Sequence, residues 1–344
     1  MFARKTVFVV GAGASYEFGL PVGEGLKDII IRSLPNSRAG FGTDSLHQTL
    51  LSTSRNEIDQ LLAVCAMLQQ GLPLSTSIDR YLDVHEDNTR LLEVGKIAIA
   101  YNIILAEKQS KLWGGHPQKS FSIGKIQNTW LPLLFRHMQE DTRVTNLADI
   151  FNNVEFIVFN YDRCIEHFFY HALMMFSGCE KHIAAEIVSK VKIVHPYGRV
   201  GRLPWDSSNG GEPKAGFGAD DYSVADLLQI SKQIRTFTEQ IEDEDETMSM
   251  VKAMINGANR VAFIGFSFLD QNMRYLTPLM TTRLSGGPIA TVWGVSEPDV
   301  ELAHSSIKAM LAGSGPGQST YQDARMLNLT AGDFITQWGN TLRR

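Results

Sequence analysis

The feature that most constrains the fold is a strand, a glycine turn and a helix near the amino terminus. Val7 to Val10 are β-branched or aromatic throughout, which predicts a buried strand. Gly11 and Gly13 follow at once, and glycine lets the backbone turn tightly where a side chain would collide. The chain then enters a predicted helix at Ala14. Such a turn directs backbone N–H groups toward one point and suits a diphosphate, so the sequence predicts a nucleotide site here.

The spacing of the glycines disfavours an ordinary dehydrogenase. The dinucleotide fingerprint of those enzymes has a third glycine three residues after the second, where this chain has Tyr16. The next glycine is Gly19. A Gly-x-Gly after an apolar run is also common as a plain strand-to-helix turn, so this motif alone leaves both interpretations open.

Composition limits the remaining classes. The chain has 344 residues, 44% of them hydrophobic, which is enough for one large α/β domain with an insertion. A net charge of −5 gives no basic surface for direct contact with nucleic acid. No apolar run reaches the roughly 20 residues that span a bilayer, and no segment is typical of a signal peptide. We expect a soluble cytoplasmic protein with no membrane contact.

Five further segments have strand character, and each ends in small or polar residues. They are residues 155–159, 191–194, 260–264, 289–295 and 325–329. Helical periodicity separates them, which predicts a Rossmann-like α/β fold: a mostly parallel six-stranded sheet with helices on both faces. Residues 38–141 show only helical stripes and are interpreted as a large all-helical insertion. The nucleotide-binding domain is then formed by residues 1–37 and 142–344.

Two segments outside these elements are interpreted as solvated. Residues 202–219 are rich in Gly, Ser and Pro, which predicts a mobile loop. The acidic run at residues 242–246 is typical of the first turn of a helix, where negative charge opposes the helix dipole favourably.

Four motifs occur at the predicted strand ends, in the order found in one known family. They are Gly-Ala-Gly-Ala-Ser at 11–15 with Gly-Leu-Pro at 19–21, Asn160-x-Asp162, His195-x-x-Gly198, and Gly265-Phe266-Ser267. In order and spacing the chain resembles the sirtuin family (silent information regulator two-like proteins), in particular the sirtuin-like NAD-hydrolase domains of bacterial anti-phage defence systems. The resemblance covers the chain except for the helical insertion.

The resemblance implies a function for each motif, with NAD+ as the substrate. Residues Gly11, Ala12, Gly13, Ala14, Ser15 and Gly19 would hold the diphosphate, and Gly265 with Ser267 would contact a phosphate or ribose oxygen. Asn160 would order the attacking water, Asp162 would bind the nicotinamide carboxamide, and His195 would act as the base. Ser296 and Glu297 would approach the adenosine ribose. Cleavage of this glycosidic bond develops oxocarbenium charge, so positioning, one water and one base suffice for it.

Three departures from the family pattern affect the expected reaction. The protein deacylases of the family carry two Cys-x-x-Cys zinc pairs, whereas Cys65, Cys164 and Cys179 form no such pair, so we expect no zinc. The family's Asp-Phe-Arg after Gly-Ile-Pro is replaced by residues 22–24, Val-Gly-Glu, which should admit water. Val-Phe at 158–159 also replaces the family's Thr-Gln. The first two departures favour hydrolysis over acyl transfer.

The leading hypothesis is therefore an NAD+ glycohydrolase that yields nicotinamide and ADP-ribose, used as an anti-phage effector that depletes NAD in abortive infection. An NAD-dependent protein deacylase or an ADP-ribose cyclase is a second possibility, and a non-catalytic subunit that binds NAD or ADP-ribose is a third. Unregulated hydrolysis would kill the host, so activity should be gated. The resemblance suggests a homo-oligomer and a separate operon partner, such as a ring-forming ATPase or helicase, or a nuclease.

Overall fold

The core of the protein is a six-stranded parallel sheet. The structure is a computed structural model that describes residues 1–54, 57–116, 119–207, 211–236, 246–315 and 322–344. The strands are β1 (Thr6–Val10), β2 (Val154–Val158), β3 (Ile193–Val194), β4 (Arg260–Ile264), β5 (Ile289–Thr291) and β6 (Arg325–Leu327). Their order is β3-β2-β1-β4-β5-β6, and every pairing is parallel. This confirms the predicted Rossmann-like sheet.

Strand β1 lies at the centre and is covered on both faces. All five of its residues are buried. Phe8 and Val10 pack into one apolar cluster, and Val7 and Val9 pack into another on the opposite face, because successive side chains of a strand alternate. A strand buried in this way shows a continuous apolar run, which is why it could be recognised in the sequence.

The helices lie between and around these strands. They are α1 (Ala12–Tyr16), α2 (Gly23–Ser33), α3 (Ser45–Thr53), α4 (Ile58–Gly71), α5 (Ile78–Val84), α6 (Thr89–Gln109), α7 (Trp130–Gln139), α8 (Cys164–Ser177), α9 (Lys181–Ser189), α10 (Val224–Ser231), α11 (Glu246–Asn256), α12 (Asp270–Leu276), α13 (Glu297–Ala312) and α14 (Ala331–Arg343). Short 3-10 turns occur at Arg38–Gly40, Leu72–Leu74, Ile123–Lys125 and Val144–Phe151.

The predicted all-helical insertion is present as a helical cluster between β1 and β2. Helices α3 to α6 share one apolar core, and α2 and α10 contribute Ile30 and Ile230 to it. Helix α7 instead packs in the core that contains α14 and one face of the sheet. The division into residues 1–37 with 142–344 and residues 38–141 stays a prediction.

Of the described helices, none by itself has the length and hydropathy to cross a bilayer. Ile58–Leu74 and Ile78–Val84 have that length and hydropathy only when taken together, and a bend of 118° separates them.

A buried ion pair joins the insertion to the turn after β2. Arg163 Nε and Nη2 donate to the two carboxylate oxygens of Glu107 on α6, over 3.1 and 2.5 Å, and both side chains are fully buried. Arg163 also donates to the backbone oxygens of Ala215 and Gly216, and Gly218 N donates to Glu107. These contacts fix the described part of the loop at 202–219, which differs from the mobile loop expected. Residues 208–210 of that loop and 242–245 of the acidic run lie outside the described residues.

Candidate functional site

A cavity of about 570 Å³ lies over the carboxyl ends of the strands. Each of the six strands sends at least one residue to its wall. These are Gly11, Ala12 and Gly13 after β1; Phe159 after β2; Tyr197 after β3; Gly265, Phe266 and Ser267 after β4; Thr291 to Val295, Gly294 excepted, at the end of β5; and Leu329 to Ala331 after β6. The strand order reverses between β1 and β4, and open parallel sheets bind their ligands at this point.

The floor of the cavity is a close crossing of two glycine turns. A Cβ on Gly11 would lie 2.4 Å from the Gly265 backbone oxygen, and a Cβ on Gly13 would lie 2.9 Å from the Gly265 Cα. Gly265 itself has a φ of +56°, and its Cβ would meet Ala14 N at 2.1 Å. The glycines are therefore required because two backbones touch here, and no side chain could be accommodated.

Backbone amides that the sequence predicts to bind a diphosphate form hydrogen bonds within the protein at this crossing. Gly11 N donates to Ile264 O and Gly13 N donates to Gly265 O, each over 3.0 Å. Ala14 N donates to Gly11 O, also over 3.0 Å. Helix α1 has only five residues, so its dipole is weak. The glycine turn therefore supplies an open floor, and fewer of its N–H groups are available than predicted.

Aromatic side chains form much of the wall. The rings of Phe159 and Phe266 meet edge to face with centroids 5.1 Å apart, and Phe159 and Tyr197 meet in the same way at 5.7 Å. Trp293 stands at the rim with 61% of its surface exposed. Flat apolar walls of this kind suit planar rings.

Asn160, Ser15 and Asp162 form a buried chain beside the glycine turn. Asn160 Nδ2 donates to Gly11 O over 3.1 Å and to Ser15 Oγ over 3.0 Å, and Ser15 Oγ donates to Asp162 Oδ2 over 2.9 Å. Asp162 Oδ1 accepts from Cys164 N at the start of α8. Among the described residues Asn160 Oδ1 has no hydrogen-bond partner. The chain holds the glycine turn to the end of β2, and none of its three members lines the cavity.

His195 also lies outside the cavity wall, in a network of charged side chains. Its Nδ1 contacts Asn160 O and its Nε2 contacts Glu166 Oε1, both at 2.9 Å. Both partners of the ring are acceptors, since a carbonyl and a carboxylate only accept. Arg199 binds the same Glu166 oxygen at 3.0 Å.

The charges around Glu166 determine its protonation. Burial alone would favour the neutral acid, but the charges of His195 and Arg199 and the hydrogen bond from His195 lower the pKa of Glu166 to about 2. Arg199 extends the network to Asp206 and Glu212, over 3.1 and 3.0 Å. His195 is thus placed to fix the segment after β3, and its side chain is only 5% exposed.

Tyr197 lines the cavity from the same motif that contains His195. It directly precedes Gly198, and its hydroxyl donates to Asn272 Oδ1 over 2.6 Å. Burial raises the pKa of the Tyr197 phenol, so at neutral pH it is a donor and not a base. The residues between His195 and Gly198 follow a strand end, and this signal could have identified Tyr197 in the sequence.

The remaining predicted site residues divide into two sets. Gly11, Ala12, Gly13, Gly265 and Ser267 line the cavity, whereas Ala14, Ser15, Gly19, Ser296 and Glu297 do not. Ser296 is the N-cap of α13, where its side chain accepts from Asp299 N. Gly19 is exposed and ends the turn after α1 with a φ of +92°.

Two carboxylates in the cavity wall were not predicted. Glu17 accepts from the backbone amides of Trp130 and Gly332, over 2.9 and 2.7 Å, and so caps α7 and α14 together. Asp79 belongs to α5 of the helical insertion and lines the cavity with Thr76 and Ser77. Helical periodicity locates α5 but not its position against the sheet, so no sequence signal pointed to Asp79. The described residues contain no cluster of His, Cys, Asp and Glu that could hold a metal ion.

Comparison with known proteins gives distant structural similarity only. No protein-family model matches the sequence, and no curated protein matches it significantly. A Sir2 homologue in complex with NAD gives a TM-score of 0.41 at 10% identity, over 99% of this chain and 90% of that one. A mutant Sir2 homologue with 2'-O-acetyl ADP ribose gives 0.37 at 9%, over 99% and 93%. Sir2 with the inhibitor EX-527, 2'-O-acetyl-ADP-ribose and a deacetylated p53 peptide gives 0.36 at 10%, over 98% and 94%.

Proposed function

We propose that the cavity binds NAD+ and that the protein hydrolyses it to nicotinamide and ADP-ribose. One observation carries the proposal: the cavity lies where the strand order reverses, and its floor is the backbone of Gly11, Gly13 and Gly265. A ligand with two planar rings joined by a diphosphate suits such a site, because the floor has no side chains and the walls are aromatic.

Several lining residues fit particular parts of that ligand. Lys111 is the one cationic side chain among the described lining residues, and with Ser267 it could face the diphosphate. Lys111 Nζ already donates to Glu17 O over 2.8 Å, which holds it at the wall. Trp293 offers a face to the adenine, and Phe159 with Tyr197 would enclose the nicotinamide.

The geometry supports positioning roles for the three predicted catalytic residues. Asn160 and Asp162 hold the glycine turn through Ser15, and His195 holds the end of β3 through Glu166. Hydrolysis would then depend on orientation of the ribose and on exclusion of bulk water. In this proposal none of the three transfers the proton of the attacking water.

The experiment is incubation of the purified chain with NAD+, with products separated by chromatography. We expect nicotinamide and linear ADP-ribose in equal amounts, without any acyl-lysine peptide. Cyclic product would support a cyclase, and strict dependence on an acyl-lysine peptide would support a deacylase. Either result, or the absence of nicotinamide release together with no calorimetric binding of NAD+, would contradict the proposal.

A second candidate is a subunit that binds NAD+ or ADP-ribose without turnover. The placement of His195 favours it, because both ring nitrogens contact acceptor groups of the protein and the ring lies outside the cavity wall. Calorimetric binding of NAD+ without nicotinamide release, also with operon partners added, would support this candidate over hydrolysis.

The cellular role rests on the motif resemblance. In that role the protein depletes NAD+ in phage-infected cells, as a homo-oligomer gated by a separate operon partner such as a ring-forming ATPase or helicase, or a nuclease. The organisation into a catalytic domain, residues 1–37 and 142–344, and a helical insertion, residues 38–141, belongs to the same proposal. Measurement of cellular NAD+ after phage infection, with and without the neighbouring genes, tests it.

A further inference from the structure

The helical insertion contributes an acidic side chain to the cavity wall. Helix α5 begins after Ser77, whose Oγ accepts from Arg80 N over 3.0 Å. Asp79 is the second residue of that helix, and it lines the cavity together with the residues of the strand ends. The Ser77 cap fixes the first turn of α5 and therefore the direction of Asp79.

The two carboxylates of the cavity wall differ in how their oxygens are used. Both oxygens of Glu17 accept from helix-start amides, Trp130 N and Gly332 N. Asp79 accepts from the hydroxyl of Tyr161, a neutral donor from the turn after β2. A carboxylate has about four lone-pair sites, so capacity to accept a further proton donor remains on Asp79.

The surroundings of Asp79 affect how readily its carboxylate takes up a proton. Burial raises the pKa of the Asp79 carboxyl, and the hydrogen bond from Tyr161 opposes the rise. The charged and titratable neighbours are few. Asp83 lies one turn along the same helix and pairs with Arg80 over 2.9 Å, and Tyr197 faces Asp79 from the segment after β3.

We propose that Asp79 is the general base of the reaction, an inference that rests on the proposed hydrolysis of NAD+. The bond from ribose C1′ to the nicotinamide nitrogen breaks, and its electron pair stays on the nitrogen, which becomes neutral. A water oxygen then forms the C1′–O bond, and the proton that this water loses passes to a carboxylate oxygen of Asp79. Solvent removes that proton when the products leave.

Other lining groups are unsuited to this step. The Tyr197 hydroxyl donates to Asn272, and its raised pKa keeps the proton on the phenol. Both oxygens of Glu17 hold helix-start amides, so protonation of that carboxylate would weaken a helix cap, and Lys111 is a cation. Asp79 is the described lining residue whose chemistry and hydrogen bonding both fit a base.

Asp79→Asn is the test, because the amide keeps the size of the side chain and cannot take the proton. We expect kcat for nicotinamide release to fall about 10²- to 10⁴-fold, with affinity for ADP-ribose, measured by calorimetry, within about threefold of the wild type. The rise of kcat with pH should be lost in the variant. Asp83→Asn, one turn along α5 and outside the cavity wall, is the matched control. It should keep the plateau value of kcat, and the rise of kcat should move to lower pH because the Asp83 charge raises the pKa of Asp79.

Tyr161→Phe provides a reading that a merely structural role would not give. Removal of the hydrogen bond raises the pKa of Asp79, so the alkaline rise of kcat should move to higher pH while the plateau is retained. An Asp79→Asn rate within threefold of the wild type, or an equal loss of rate and ADP-ribose affinity, would overturn the assignment of Asp79 alone. Lack of release by the wild type would overturn hydrolysis and the assignment together.

Discussion

The two sides of the central strand end in different ways. Toward β4 and β5 the strand ends consist of glycines, Thr291 and exposed Trp293, and they leave an open space. Toward β2 and β3 the strand ends carry the polar side chains Asn160 and His195, which form hydrogen bonds within the protein.

The side toward β4 and β5, whose backbone leaves space for a ligand, is the side that makes room. The side toward β2 and β3, whose side chains hold the glycine turn, is the supporting side. The crossing of the glycine turns, which carries no Cβ atoms, forms the floor of the cavity. Hydrogen-bonded side chains toward β2, such as Asn160 on Gly11 O, hold that crossing in position. A polar residue at a strand end is therefore not by itself a residue that contacts the ligand. Asn160 and His195 support the cavity from the β2 and β3 side, whereas Phe159 and Tyr197 of the same segments line it together with the β4 and β5 side.

The largest effect expected is that of Gly265→Ala, on the side that makes room. The new Cβ would overlap Ala14 N at 2.1 Å, and the residue has a positive φ. We expect a loss of about 5 kcal/mol or more in the free energy of unfolding, measured by urea denaturation. Gly19→Ala is the control, since its φ of +92° is also positive but nothing lies within 4 Å of its Cβ; about 1–2 kcal/mol is expected. Equal losses in the two variants would contradict the crossing.

Much of the fold could be predicted from sequence because a buried parallel strand has an unmistakable apolar run. Residues 260–264 were predicted with the bounds that β4 has. β5 is shorter than the predicted 289–295 because the chain turns after Val292, where Val295 N donates to Val292 O over 3.2 Å and Trp293 is exposed. Apolar character alone cannot tell a rim residue from a strand residue.

The sequence signal for the site was strongest at the glycines of the cavity floor, and Ala12 and Ser267, also predicted, line the cavity as well. Gly11, Gly13 and Gly265 line the cavity, and the need for a missing Cβ is visible in the sequence; their contact with NAD+ stays a prediction. The position of His195 depended on Glu166 and Arg199, a partnership between α8 and a later loop that no local pattern encodes. Asp79 depended on how α5 packs against the sheet.

His195→Ala tests the supporting side. Loss of the imidazole ring leaves Glu166 buried with Arg199 alone, and removal of one member of a buried pair costs about 3–4 kcal/mol. We expect Tm to fall by roughly 5–10 °C, measured by calorimetry. His182→Ala, which removes an exposed histidine paired with Glu180, should change Tm little. An unchanged Tm with abolished nicotinamide release would instead make His195 a catalytic residue.

Acid should weaken the supporting side through helix α8, which follows β2. Burial lowers the pKa of His171 to about 4, against about 6.5 in the unfolded chain, so the unfolded state binds more protons between these values. Stability is therefore complete above pH 6.5 and falls as pH drops toward 4, by on the order of 3 kcal/mol. Glu166, with its pKa lowered to about 2, adds a loss below pH 4.5.

Tm measured from pH 7.5 to 4 reports this loss. His171→Phe places a neutral ring among Phe121, His167 and Tyr170, and it should reduce the slope of the curve between pH 6.5 and 4. The slope that remains comes from His167, whose pKa is also lowered by burial. A variant whose Tm falls with pH as steeply as that of the wild type would show that the acid response originates elsewhere.

The smallest effect expected is that of Trp293→Ala, on the side that makes room. Its ring is 61% exposed, so truncation should change the free energy of unfolding by no more than about 0.5 kcal/mol. Stacking on a base is worth about 1–3 kcal/mol, so affinity for NAD+ and for ADP-ribose should fall roughly 5- to 100-fold in calorimetry, while free nicotinamide is unaffected.

Trp293→Phe should retain most of the affinity because the flat face remains. Leu302→Ala, equally exposed on the next helix and outside the cavity wall, controls for loss of apolar surface. If Trp293→Ala retains its affinity for NAD+, the adenine binds elsewhere. If Trp293→Ala instead weakens binding of free nicotinamide, the rim after β5 holds the nicotinamide ring, and the ligand binds in the opposite orientation.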